Sequence, residues 1–216
     1  MKKYYFKIIS LFLILFVFMY GYPVRADLPL QGKVIVVDSG HGGLDPGALY
    51  KDIYEKDITL AIGKYLEKSL NEMGATVIMT RDDDNDLSRG VKNHRKKADF
   101  DERIKIINQK IADMYVSVHL NYLTDSKYYG AQVFYNKNNK ELASSVQLYL
   151  NKNTNSDREI KKIPTSTYMY DKLKTKGILV ECGFLSNSME RSKLVTKEYQ
   201  MKFAKILADA ISHYYN

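Results

Sequence analysis

Lys33-Val34-Ile35-Val36-Val37-Asp38 is an unbroken apolar run that ends in Ser39-Gly40-His41-Gly42-Gly43. An apolar run of this length, closed by polar and glycine residues, reads as a strand buried on both faces. The segments around it decide the fold class. Gly40, Gly42, Gly43, Pro46 and Gly47 make a loop, and Glu55–Met73 then carries Ile58, Ile62, Leu66, Leu70 and Met73 at helical spacing until Gly74 stops it. Thr76–Thr80 (TVIMT), Met114–Leu120 (MYVSVHL), Ala131–Tyr135 (AQVFY) and Gly177–Cys182 (GILVEC) read as further strands, with Tyr168–Tyr170 as a short one. Arg81–Lys97 is densely charged and reads as a solvated loop. Phe100, Ile104, Ile107 and Ile111 mark a second helix, Leu142, Val146 and Tyr149 a third, and Tyr199, Phe203, Leu207, Ala210 and Tyr214 a long last one. Strands alternating with helices predict an α/β fold, a three-layer α/β/α sandwich around a mostly parallel mixed sheet.

The 216 residues suit one domain, and 45% hydrophobic with 27% charged residues excludes a disordered chain. A lone cysteine, Cys182, excludes an intramolecular disulfide framework and a cysteine-based zinc finger. The N-terminus has its own character. Met1–Lys7 is basic, and Ile8–Tyr20 is an uncharged apolar run of 13 residues. That is short of the ~20 needed to span a bilayer and within the ~7–15 of a signal h-region. Pro23 and Val24-Arg25-Ala26 complete a signal peptide over residues 1–26, leaving 27–216 as the mature domain. An uncleaved anchor is the alternative. Either way the body works outside the cytoplasmic membrane. The formal charge of +8 falls to +4 without residues 1–26. Mild basicity suits a polyanionic cell wall, and no DNA-reading motif accompanies it, so no nucleic-acid partner is expected.

The chemistry gathers at strand ends, where open α/β sheets bind ligands. His41 lies just past the first strand, His119 ends MYVSVHL, Glu181 ends GILVEC, and Glu55 opens the first helix. With parallel strands all four converge on one rim. Two histidines and a carboxylate make a zinc set with an open position, leaving Glu181 free to move protons. Each also has a plainer reading: a loop histidine, a core histidine, a helix-terminus charge, a paired strand carboxylate. His94 and His213 read as solvated residues. Asn121 and Arg103 are candidate substrate contacts, with Arg103 otherwise a surface helix residue.

Four motifs then carry a resemblance. Val36–Ala48 (VVDSGHGGLDPGA), Glu55-Lys56-Asp57, Ala112–Asn121 (ADMYVSVHLN) and Leu179–Asn187 (LVECGFLSN), with Thr80-Arg81-Asp82 between, are similar to the motifs of the zinc-dependent N-acetylmuramoyl-L-alanine amidases. The resemblance runs from about Lys33 to the C-terminus. It implies that His41, Glu55 and His119 hold one zinc ion per chain and that Glu181 is the catalytic carboxylate. It implies peptidoglycan as substrate, cleaved between N-acetylmuramic acid and L-alanine. Ser39 departs from the family's usual proline, and Cys182 beside Glu181 suggests sensitivity to oxidation. A short domain behind a signal, without wall-binding repeats, is similar to the germination-specific branch. That branch acts on spore cortex on the way to muramic-δ-lactam, and an accessory sporulation protein becomes a candidate partner. Oligomeric state stays open. A general cell-wall autolysin, an inactive peptidoglycan-binding homologue and a stem-peptide peptidase remain alternatives.

The signal reading is checked by N-terminal sequencing of the native protein, which should begin at Asp27. An intact Met1 on membrane-bound protein would establish the anchor instead.

Overall fold

The computed structural model describes residues 28–137 and 139–215. The signal reading falls on residues outside these. Among the described residues no helix is long and apolar enough to cross a membrane.

Six strands form one sheet. In chain order the elements are β1 (Val34–Ser39), β2 (Leu49–Tyr50), β3 (Ile53–Tyr54), α1 (Glu55–Glu72), β4 (Thr76–Met79), α2 (Arg95–Ile107), β5 (Met114–Asn121), β6 (Gln132–Tyr135), α3 (Lys140–Asn153), β7 (Lys161–Lys162), α4 (Tyr168–Lys172), β8 (Gly177–Phe184), α5 (Ser188–Leu194) and α6 (Lys197–Tyr215). The sheet order is β4-β1-β5-β8-β6-β7, while β2 and β3 pair as a separate hairpin. β4, β1, β5 and β8 run parallel, and β6 is antiparallel to β8. This is the expected mixed sheet between helical layers. At one edge β7 is only two exposed lysines, a short charged end that discourages pairing with another chain.

Strand alternation sorts the side chains into two unequal faces. Ile35 and Val37, Met114, Val116 and Val118, and Ile178 and Val180 pack with Ile62, Leu66, Leu70, Val146, Phe203 and Leu207 of α1, α3 and α6. That thick face is apolar throughout. At ~1.5–3 kcal/mol for each fully buried large apolar side chain, it dominates the stability of the domain. The other face holds Val36, Tyr115 and Leu179 under α2 and α4, with Ile107, Met169, Tyr170 and Leu173. The same alternation puts Asp38, Ser117, His119 and Glu181 on this thinner face. Register then aligns them: Asp38 pairs with Ser117 across β1 and β5, and His119 with Glu181 across β5 and β8.

Four local expectations change. Tyr168–Tyr170 is the start of a helix rather than a strand, because Met169 and Tyr170 turn together into the small core. The second helix stops at Ile107, and Ile111 lies beyond it, 62% exposed. The Arg81–Lys97 stretch is not simply solvated: Arg81 and Ser88 are buried, and α2 already begins at Arg95. Cys182 points into the thick core, where burial holds its thiol far above the ordinary value, so the expected oxidation sensitivity lacks a reactive thiolate.

Candidate metal centre

The turn after β1 delivers the first histidine. Gly42 and Asp45 exchange two backbone hydrogen bonds, each 3.0 Å, closing a tight loop. That closure returns the Asp45 carboxylate to His41 Nδ1 at 3.1 Å. His41 itself sits at φ 63°, a left-handed conformation costly for a residue with a Cβ. Two buried arginines hold it there. Arg103 donates to Ser39 O at 2.8 Å and His41 O at 2.6 Å. Arg81 donates to Ser39 O and Gly40 O, each at 2.9 Å.

Glu55 opens α1 and leans over the rim. Its Oε2 accepts from Ala48 N at 2.7 Å and its Oε1 from Leu120 N at 2.9 Å, so both oxygens are fixed by backbone. Oε1 also lies 3.1 Å from His41 Nε2 and 3.0 Å from His119 Nδ1. The imidazole rings meet edge to face at 4.9 Å. Glycine is required at two places by this crowding. A Cβ on Gly40 would come within 2.3 Å of His119 Cε1, and one on Gly47 within 2.6 Å of Glu55 Oε2. What crowds Gly40 is the ring of His119.

His41, Glu55 and His119 each present one ligand atom, all within 4.8 Å of one another. The electrostatics ask for a cation. Burial pulls the His41 imidazole down, yet the hydrogen bonds of Asp45 and Glu55 outweigh it and carry it up to about 9. Glu55 is held well below the carboxylate range, the histidines outweighing its burial. Close by, Glu181 Oε2 is buried with no hydrogen-bond partner. Burial first, then the charge of Glu55, pushes the Glu181 carboxyl up to about 8. Two nitrogens and a carboxylate oxygen, with a second, orphaned carboxyl beside them, fit a divalent cation of zinc's preferences.

The profile of the N-acetylmuramoyl-L-alanine amidase family Amidase_3 matches residues 35–213. The chain belongs to that family. It is 37% identical, over 96% of its length and 92% of the relative's, to the germination-specific N-acetylmuramoyl-L-alanine amidase of Bacillus subtilis. Among solved structures it resembles the CwlD amidase of Clostridioides difficile, determined in complex with the GerS lipoprotein. The two share 38% identity and a TM-score of 0.78, over 84% of this chain and 98% of that one. It also resembles the catalytic domain of CwlV from Bacillus (Paenibacillus) polymyxa, at 28% identity and a TM-score of 0.73 over 84% and 97%. The amidase fold and enzyme class expected from the motifs are those found.

One sequence-level candidate for substrate contact changes role. Arg103 is 2% exposed, and its guanidinium is consumed by Asp99, Asp38, Ser39 O and His41 O, so it neither lies on the surface nor faces a substrate. Asn121 stays half-buried at the rim end of β5. His94 and His213 are exposed, as read. Sequence reasoning missed the buried layer beneath the candidate metal centre: Asp38, Ser117, Arg81 and Tyr170. Asp38 and Ser117 were visible as polar residues inside apolar strands; Tyr170 gave no such signal.

Arg103→Met should cost about 3–5 kcal/mol in urea unfolding, because it leaves Asp38 charged and buried without its partner. A cost near zero would show that the pair does not hold the β1 turn.

Proposed function

We propose that this amidase is a zinc hydrolase that cleaves the amide between the lactyl group of N-acetylmuramic acid and L-alanine in peptidoglycan. The observation that carries the reading is the convergence of His41, Glu55 and His119 beside the unpartnered carboxyl of Glu181. His41, Glu55 and His119 would hold the zinc. Bound there, zinc would supply Lewis acidity toward the amide carbonyl and water and would favour an ionised Glu181. Glu181, then ionised, takes a proton from the attacking water. The water oxygen joins the lactyl carbonyl carbon, the C–N bond breaks, and Glu181 passes the proton to the alanine nitrogen. Muramic acid keeps a free carboxyl, and the stem peptide leaves with a new amine. Asn121, half-buried at the end of β5, would contact the substrate.

The identity to the germination-specific amidase supports the narrower role. The stripped muramic residues would become muramic-δ-lactam in spore cortex after a deacetylation step. The complex of the related CwlD with a lipoprotein supports an accessory protein for this chain too. Residues 1–26 would direct export, and 27–216 would form the zinc-binding catalytic domain.

Peptidoglycan digested with zinc-loaded protein should yield fragments with new N-terminal L-alanine by mass spectrometry. A different amine would identify a peptidase, and no product a binding module. Glu181→Gln should retain zinc and lose ~10²–10⁴-fold in rate, the usual contribution of a positioned general base. His119→Ala should lose most bound zinc while its circular dichroism stays native. A Glu181→Gln enzyme at near-normal rate would make that residue structural.

A further inference from the structure

Each histidine of the centre has a carboxylate behind it, one in contact and one at a distance. Asp45 touches His41 Nδ1 directly, leaving Nε2 turned to Glu55. Behind His119 the path runs through the floor of the thinner face. It starts at Asp38, 1% exposed, whose Oδ1 accepts from Arg103 Nη1 at 2.7 Å and Thr80 Oγ1 at 2.8 Å. Burial works against the Asp38 charge, but Arg103 and Ser117 outweigh it and keep the carboxyl below its ordinary value.

The direction of every hydrogen bond beyond Asp38 then follows. An ionised carboxylate only accepts. The Ser117 hydroxyl therefore donates to Asp38 Oδ2, 2.6 Å away. Its oxygen has lone pairs left for Tyr170 Oη at 2.9 Å, so the phenol must donate to it. With that proton committed, Tyr170 Oη offers a lone pair to His119 Nε2 at 3.4 Å. A neutral imidazole carries one N–H and one bare nitrogen. The group accepting at Nε2 thereby decides which nitrogen faces the ligand cluster without a proton.

We propose that Asp38, Ser117 and Tyr170 form a positioning relay that keeps the proton of His119 on Nε2 and leaves Nδ1 bare for the cation. The proposal rests on the reading of His119 as a metal ligand. The relay has an opponent. Glu55 Oε1, 3.0 Å from Nδ1, attracts a proton to that nitrogen. An Nδ1–H donating to Glu55 would satisfy both groups and close the site to metal. Tyr170 supplies the counterweight from the other side of the ring. It is brought there by α4, and Ser117 and Asp38 stand in register on neighbouring strands. Outer partners of this kind contribute ~10–100-fold in metal affinity where they have been removed from other sites.

The test uses ¹⁵N-histidine-labelled, zinc-loaded protein. In the unmodified protein His119 should bind zinc through Nδ1 and show a slowly exchanging Nε2–H. Tyr170→Phe and Ser117→Ala should each weaken zinc ~10–100-fold in chelator competition and speed exchange of that proton. Ser117→Ala decides between relay and packing, because it leaves the Tyr170 ring in place and frees its hydroxyl proton to turn towards Nε2. Near-UV circular dichroism and thermal midpoints identify the folded variants. Zinc bound through Nε2, or folded variants with unchanged zinc affinity, overturns the relay alone. Failure of the unmodified protein to bind zinc overturns the ligand reading and the relay with it.

Discussion

Arg103 Nη1 donates to Asp38 Oδ1 at 2.7 Å with both side chains out of solvent, and the rest of the rim is arranged around that contact. The pair is costly to bury, and a well-packed apolar pair could match its stability. What an apolar pair could not supply is directional donors. Three of the other Arg103 guanidinium protons bind Asp99 and the carbonyls of Ser39 and His41. Arg81 adds further donors to Ser39 and Gly40 carbonyls from the other side. Carbonyls at the end of a strand have no ladder partner, and buried ones need one. The two arginines meet that need and fix a left-handed His41 as they do so. Their proximity has an electrostatic consequence: burial and the charge of Arg103 bring Arg81 down to about 10. The acids Asp38 and Asp99 keep this cationic pair tolerable.

The unequal faces of the sheet explain where the centre can be. Alternation along β1, β5 and β8 sends aliphatic residues to the thick face at every second position. The intervening positions begin apolar, at Val36, Tyr115 and Leu179, and turn polar toward the carboxyl ends, at Asp38, Ser117, His119 and Glu181. The thick face supplies the apolar burial that holds the sheet. The thinner face carries a graded surface, dry below and reactive above. Glu55 reaches the same rim from a helix of the thick face because α1 starts at that end.

This division also explains what could be read from the sequence. Period-two alternation and helical spacing are local signals, so β1, β5, β8, α1 and α6 were legible, and with them the strand-end placement of His41, Glu55, His119 and Glu181. The segment Tyr168–Tyr170 was not, because its short helix exists only by tertiary packing of Met169 and Tyr170. Arg103 was unreadable for a related reason. On a helix dense in Lys, Asp and Glu, nothing local separates an arginine that solvates from one that reaches 65 positions back to Asp38. Arg81 sat in a stretch whose charge density suggested solvent, and its burial depends on the Ser39–Gly40 carbonyls meeting it.

Only two buried side-chain atoms among the described residues lack a hydrogen-bond partner, Ser39 Oγ and Glu181 Oε2, and both lie toward the carboxyl ends of sheet strands near the candidate metal centre. Ser39 is a packing compromise: Gly63 leaves the room its hydroxyl occupies, a Cβ there coming within 2.2 Å of Oγ. Glu181 is different in kind. A lone carboxyl inside an apolar strand destabilises the fold in whichever state it adopts, ionised without a partner or protonated with one oxygen unmet. The thick core is large enough to tolerate that cost. The neighbours that raise it, buried surroundings and the negative Glu55, are also the ones a bound cation would reverse. The unmet carboxyl of Glu181 therefore lies beside the three side chains that could hold a cation. On the proposed function, a divalent ion bound there would relieve that cost, and the ionised group could then accept a proton.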